Sequence, residues 1–137
     1  MTVETRETPL KYQFLEILQS NDMQALHAFL DDQNISDVAE LINEFPEHEG
    51  EILGNLSIHR AISTFKILDF ATQKRIIQEL SPSKTAELLN GLPADDRTSF
   101  LEDLPSEVVK ELIKMLDPEE RRITLALLGY PERSVGR

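Results

Sequence analysis

The side chains able to do chemistry in this 137-residue sequence are mainly carboxylates. Twenty-five Asp and Glu stand against fourteen Lys and Arg, giving a formal charge of −11. Cysteine is absent, which removes disulfides, thiolate zinc sites and cysteine nucleophiles together and fits a reducing compartment. The three histidines, His27, His48 and His59, are far apart and form no HExxH pair, so they read as surface or half-buried structural residues. There is no GxSxG elbow and no Gly-rich phosphate loop; Gly50 and Gly54 sit inside a helical pattern. Serines such as Ser57, Ser81 and Ser106 fall where helices need caps. With no nucleophile–base constellation, the chain does not read as an enzyme.

The acids are more informative. Glu44, Glu47, Glu49 and Glu51 crowd one stretch, and Asp95–Asp96, Glu102–Asp103 and Glu107 with Glu111 follow. Acids near helix N-termini complement the macrodipole, and acids on an outer face keep a protein soluble; that accounts for most of them. A sharper reading makes some of them half of a divalent-cation site completed elsewhere. Mg²⁺ accepts one or two carboxylates and keeps several waters, so a sparse site suffices. The charge opposes binding to nucleic acid or anionic lipid and favours cations and basic protein surfaces. No apolar run approaches the roughly 20 residues needed to span a bilayer, so direct membrane insertion is not expected. The N-terminus has no apolar segment of a secretory signal.

The elements that position these acids are set by a repeat. Leucine recurs every twelve residues at Leu56, Leu68, Leu80, Leu92, Leu104, Leu116 and Leu128. Three residues before each stand Leu53, Phe65, Ile77, Leu89, Leu101, Ile113 and Leu125. Four before stand Ile52, Thr64, Ile76, Leu88, Phe100, Leu112 and Thr124, where only the threonines are not apolar. This i, i+1, i+4 spacing is a helical stripe. Ser57, Asp69, Ser81, Pro93, Pro105, Asp117 or Gly129 follows each leucine, each a helix cap or stop. Helices this short are unstable alone, so they must bury their stripes on neighbours. The expected fold is all-α, a superhelix of short stacked helices with nearest-neighbour contacts. An earlier unit uses Leu41, Ile42 and Phe45, ending at Pro46. Two helices precede it, one from Pro9 with Leu10, Phe14, Ile17 and Leu18, the other capped near Asn21–Asp22 with Leu26, Phe29 and Leu30. Residues 1–8 are expected to be a disordered tail, 9–129 the helical domain and 130–137 the start of a linker.

Several segments resemble the cytoplasmic N-terminal domain of MgtE-type magnesium transporters. They are Asp37-Val38-Ala39-Glu40-Leu41-Ile42-Asn43-Glu44-Phe45-Pro46, Thr85 to Asp96, Leu116-Asp117-Pro118-Glu119-Glu120-Arg121, and Tyr130-Pro131-Glu132-Arg133-Ser134-Val135-Gly136-Arg137. The last is similar to the family's junction with a pair of CBS domains, and the resemblance spans about residues 20–137.

That resemblance implies a regulatory domain on the cytoplasmic face of the cell membrane, part of a homodimeric transporter. It would dock on the CBS domains of its own parent chain through shared Mg²⁺ ions and so close the pore. Carried onto this sequence, the interdomain Mg²⁺ ligands are Asp95, with Asp96 beside it. Two positions where the family has acids hold Ser99 and Ser63, so either the interdomain site is weaker here, or Glu102 and Asp103 take part, or the ions are placed differently. Mg²⁺ binding to the separate domain is expected to be weak, because half of the ligands lie elsewhere. The alternative is an ion-independent helical scaffold for protein partners, armadillo-like or flagellar motor switch-like.

Overall fold

The structure, a computed structural model, describes residues 9–129, and among these it contains ten α-helices and no strand. The expected tail at 1–8 and linker at 130–137 lie outside the described residues. Two compact units divide at residues 79 and 80. The first contains α1 (Leu10–Ser20), α2 (Met23–Asp32), α3 (Ile35–Glu44), a 3-10 turn (Pro46–His48), α4 (Glu49–Gly54), α5 (Ile58–Ile67) and α6 (Phe70–Glu79). The second contains α7 (Pro82–Gly91), α8 (Ala94–Glu102), α9 (Ser106–Ile113) and α10 (Pro118–Leu128). The all-α expectation and the short helices are both observed.

Local chemistry explains the interruptions. Asp22 and Asn34 accept from the backbone N–H of Ala25 and Asp37, capping α2 and α3. Asp69 accepts from Thr72 N–H at 2.8 Å and Ser81 from Lys84 N–H at 3.2 Å, opening α6 and α7. Each cap satisfies one of the free N–H groups of a first turn. Pro82 and Pro118 stand at the start of α7 and α10, where a proline loses no helical hydrogen bond. Gly129 ends α10 in the left-handed region at φ 82°, where a Cβ would be strained. Ser106 corrects the capping assignment: it is the first residue of α9 and Pro105 holds the cap position.

The stripe forms the core. Every residue four before a repeat leucine is buried, the two threonines included, and so is every residue three before except the half-buried Ile77. Leu56, Leu68, Leu92, Leu104 and Leu116 are buried, with Leu80 and Leu128 half-buried. The packing differs from the expected nearest-neighbour stack in one respect. Beside the adjacent packing of α1 with α2 and of α4 with α3 and α5, prominent pairings join a helix to the next but one: α3 with α5 and α4 with α6 in the first unit, α8 with α10 in the second.

A second, longer period accompanies that pairing. Gln73 donates to the Phe65 carbonyl at 2.7 Å, Arg97 to the Leu89 and Leu92 carbonyls at 3.0 and 3.1 Å, and Arg121 to the Ile113 and Leu116 carbonyls at 3.3 and 3.1 Å. These three polar residues are two repeats apart, and each reaches back to carbonyls at or just beyond the end of the preceding helix, where the helical hydrogen-bond ladder runs out; the Phe65 and Ile113 carbonyls also accept the N–H three residues on. The alternate repeats carry Ala61, Thr85 and Val109 at the same column, all buried.

Candidate functional site

The acids singled out by the sequence stand on α8. Pro93 holds its N-cap position, and Asp95 and Asp96 occupy its first turn. Both are exposed, as are Ser99 and Glu102 on the same helix and Asp103 just after it. Asp95, Ser99 and Glu102 follow i, i+4, i+7 spacing and so share one solvent face. Glu102 is seven residues, about 10 Å of helical rise, from Asp95, at the far end of that face. Ser63, on α5, is also exposed. Two carboxylates on one exposed turn fit the requirement of a Mg²⁺ half-site, which needs one or two carboxylates and water. Among the described residues no three His, Asp or Glu side chains converge into a group able to hold a metal.

The opposite face of α8 is buried and carries a charge. Arg97, Thr98, Phe100 and Leu101 pack inward, and Arg97 is fully enclosed at 0% exposure. Its Nη2 donates to Glu120 Oε1 at 2.7 Å and its Nε to Thr124 Oγ1 at 2.8 Å, both on α10. Its Nη1 is shared by the Leu89 and Leu92 carbonyls at the end of α7. Thr124 Oγ1 in turn donates to the Glu120 carbonyl at 2.7 Å. The guanidinium therefore ties the base of the acidic turn to α7 and α10. Asn90 adds a second tie, accepting from Asp117 N–H at 2.8 Å and donating to the Met115 carbonyl at 3.2 Å.

The first unit has its own carboxylate cluster. Sequence reading placed Glu49 among solvated acids; it is 1% exposed and binds Arg75 in a two-pronged pair, Oε2 to Nε at 3.0 Å and Oε1 to Nη2 at 3.2 Å. The bond to Glu49 and its charge push the half-exposed Arg75 guanidinium up from its ordinary value. Glu79 completes the cluster. Burial, and then the Glu49 charge, push its carboxyl above the ordinary carboxylate value, while the Gly50 N–H opposes the shift. A Cβ on Gly50 would come within 2.8 Å of Glu79 Oε1, so any other residue there would push the Glu79 side chain out of this position. Asp69 is shifted the other way, lowered by hydrogen bonds from the Thr72 hydroxyl and then the Thr72 N–H. Its carboxyl is occupied as a cap.

The histidines are local structural groups. His27 Nδ1 contacts the Asn55 carbonyl, and its Nε2 lies 3.4 Å from Asp31. His48 meets Glu51 at 3.1 Å and packs edge-on to Phe14 with ring centroids 6.0 Å apart. His59 is exposed. A cleft of about 180 Å³ lined by Pro9, Leu10, Lys11, Glu40, Leu41 and Glu44 is smaller than most small-molecule sites. No described helix is long and apolar enough to cross a membrane.

The Arg97 and Glu49 networks were not anticipated from the sequence. One signal was present: Arg97 falls in the column held by buried residues at Ala61, Thr85 and Val109, so an inward charge could have been suspected there. Glu49 carried no such signal, because its partner is 26 residues away.

A family described as the MgtE intracellular N domain matches residues 33–133, more than half of the chain. Among solved structures, the crystal structure of the cytosolic domain of the Mg²⁺ channel MgtE in complex with ATP is similar, with a TM-score of 0.78 and 28% identity. The match covers 89% of this chain and 51% of that one, so the chain spans about half the length of the structure it resembles. No curated protein matches.

Proposed function

The chain belongs to the family of MgtE intracellular N domains, and from that premise we propose that it is the Mg²⁺-sensing regulatory domain of a magnesium channel or transporter. It acts on the cytoplasmic face of the membrane, within a homodimeric parent protein. Residues 9–129 form the sensing domain and 130–137 lead toward a CBS pair. Asp95 and Asp96 supply this domain's share of Mg²⁺ ions whose remaining ligands lie on the CBS domains. It is not an enzyme.

The observation that carries the reading is the exposed pair of carboxylates on the first turn of a helix braced from below. Acidic surfaces repel at low Mg²⁺, and a domain of charge −11 facing another acidic domain stays apart. Ions bridging the two offset that repulsion and bias a docking equilibrium, which gates the pore. Each ion shifts the equilibrium only by its preference for the docked state over the free one. The related structure was solved with ATP. In this chain the net negative charge and the lack of a Gly-rich phosphate loop favour cations over a triphosphate as its own ligand.

The test has two arms. Calorimetric titration of this domain with Mg²⁺ should give weak binding; tight stoichiometric binding would contradict a site shared between domains. In the parent protein carrying the following domains, small-angle scattering should show Mg²⁺-dependent compaction that Asp95→Ala weakens. Unchanged compaction in that variant removes Asp95 from the site.

A further inference from the structure

Arg97 is the least expected residue of the second unit. A guanidinium at 0% exposure is costly to desolvate, and removing its ion-pair partner would leave an uncompensated buried charge. Its capping task does not require that charge. Gln73, two repeats earlier, satisfies the equivalent helix-end carbonyl with a neutral amide, and Arg121, two repeats later, does so while half-buried. Only at position 97 does the column place a fully enclosed cation, and there the same helical turn carries Asp95 and Asp96 on its outer side.

Arg97 lies two residues, about 3 Å of helical rise, beyond Asp95, on the opposite side of α8. Its positive charge beneath the acidic turn opposes a divalent ion above it. Glu120, 2.7 Å from Nη2 and only partly exposed, cancels that charge. The fork of the guanidinium meanwhile fixes the turn, because four acceptors on α7 and α10 hold it at once. A lysine could not bind four acceptors in that arrangement.

We infer that Arg97 is the positioning residue of the Asp95–Asp96 turn and that Glu120, although not a ligand, sets its Mg²⁺ affinity by balancing the buried charge. The inference rests on the reading of Asp95 as a Mg²⁺ ligand. It adds to that site a buried ion pair between α8 and α10 whose charge balance is felt at the surface.

The experiment is a magnesium chloride titration of the full 137-residue chain at constant ionic strength, followed through the backbone amide signals of Asp95 and Asp96. Wild type should give weak saturable shifts, and Asp95→Asn should weaken binding about tenfold or more. Glu120→Gln keeps an acceptor for Arg97 Nη2 and removes the balancing charge. It should weaken Mg²⁺ binding about three- to tenfold, the effect of one uncompensated charge on a divalent ion at about 10 Å in a water-like medium, with helicity by circular dichroism unchanged. Arg97→Lys should weaken binding by a similar factor; should it fail to fold, Glu120→Gln carries the test. A purely structural pair would change the unfolding midpoint and leave the Mg²⁺ affinity of the folded chain alone. If wild type and Asp95→Asn titrate alike, the Asp95 site itself is wrong and the inference falls with it. If those two differ as expected while Glu120→Gln binds Mg²⁺ like wild type, the inference about Arg97 and Glu120 alone is overturned.

Discussion

Thr64 and Thr124 occupy the same column of the repeat, are both at 0% exposure, and should respond to the same substitution with opposite sign. Thr124 Oγ1 accepts from Arg97 Nε at 2.8 Å and donates to the Glu120 carbonyl at 2.7 Å. Thr64 Oγ1 is buried with no hydrogen-bond partner among the described residues. A buried hydroxyl left unsatisfied costs about 1–3 kcal/mol, and exchanging it for a methyl of the same shape relieves that cost. Thr64→Val should therefore stabilise the first unit by about 1–2 kcal/mol. Thr124→Val strands a guanidinium N–H in the interior, so it should destabilise the second unit by about 2–3 kcal/mol.

At about 3 °C per kcal/mol for a chain of this length, the two variants should melt roughly 10 °C apart. The sequence has no Trp and only two Tyr, so far-UV circular dichroism in urea is the practical signal, with the slope of the transition checked against wild type. If the two units unfold in separate transitions, each variant should move only its own. A destabilised Thr64→Val, or a Thr124→Val within about 0.5 kcal/mol of wild type, would refute the assignment of these hydroxyls.

Leu92, 3% exposed at the end of α7, should lose about 2–5 kcal/mol on truncation to alanine; a loss below about 0.5 kcal/mol in the same urea assay would mean that the repeat leucine is not core. Glu79 gives a pH prediction. Its folded pKa lies above its unfolded one, so the ionised carboxylate opposes folding, and wild-type stability should rise as pH falls through the folded value toward the ordinary one. Glu79→Gln should remove that slope and be at least as stable at neutral pH, read from melting temperatures between about pH 4 and 8; an unaltered slope would show that Glu79 does not carry it. Asp69, held below its ordinary value, acts in the opposite sense: its contribution is present at neutral pH and is lost only at more acidic pH, as pH falls through its folded value.

Helix positions and the core stripe were legible because they rest on near-neighbour physics. A leucine every twelve residues with a cap or stop after it defines both the buried face and the boundary; α5 to α10 begin within two residues of those signals, and all but α9, which closes at Ile113, end within two residues of the next leucine. The exposed first-turn placement of Asp95 and Asp96 was legible for the same reason. The polar interior was not. Glu49 meets Arg75 across 26 positions and Arg97 meets Thr124 across 27, and neither distance is implied by a helical period. Thr64 and Thr124 look like the same blemish in the stripe, and only their tertiary surroundings separate them.

The next-but-one pairing gives those distances a common origin. A helix that packs on its second successor brings together residues about two repeats apart, and the Glu49–Arg75, Arg97–Thr124 and Asn90–Asp117 contacts all join side chains or backbone 26 or 27 positions apart. The leucine period reports one helix, whereas the polar contacts report the pair. In a two-helix period the column alternates between the buried Ala61, Thr85 and Val109 and the polar Gln73, Arg97 and Arg121, whose side chains bond carbonyls at the end of the preceding helix. A small residue at 97 would leave the Leu89 and Leu92 carbonyls without that partner, and an arginine at 85 would have to enter a site filled by buried Thr85. The acidic turn of α8 thus sits on a polar position of that alternation, and a fully buried charge there is what distinguishes this turn from its counterparts in the repeat.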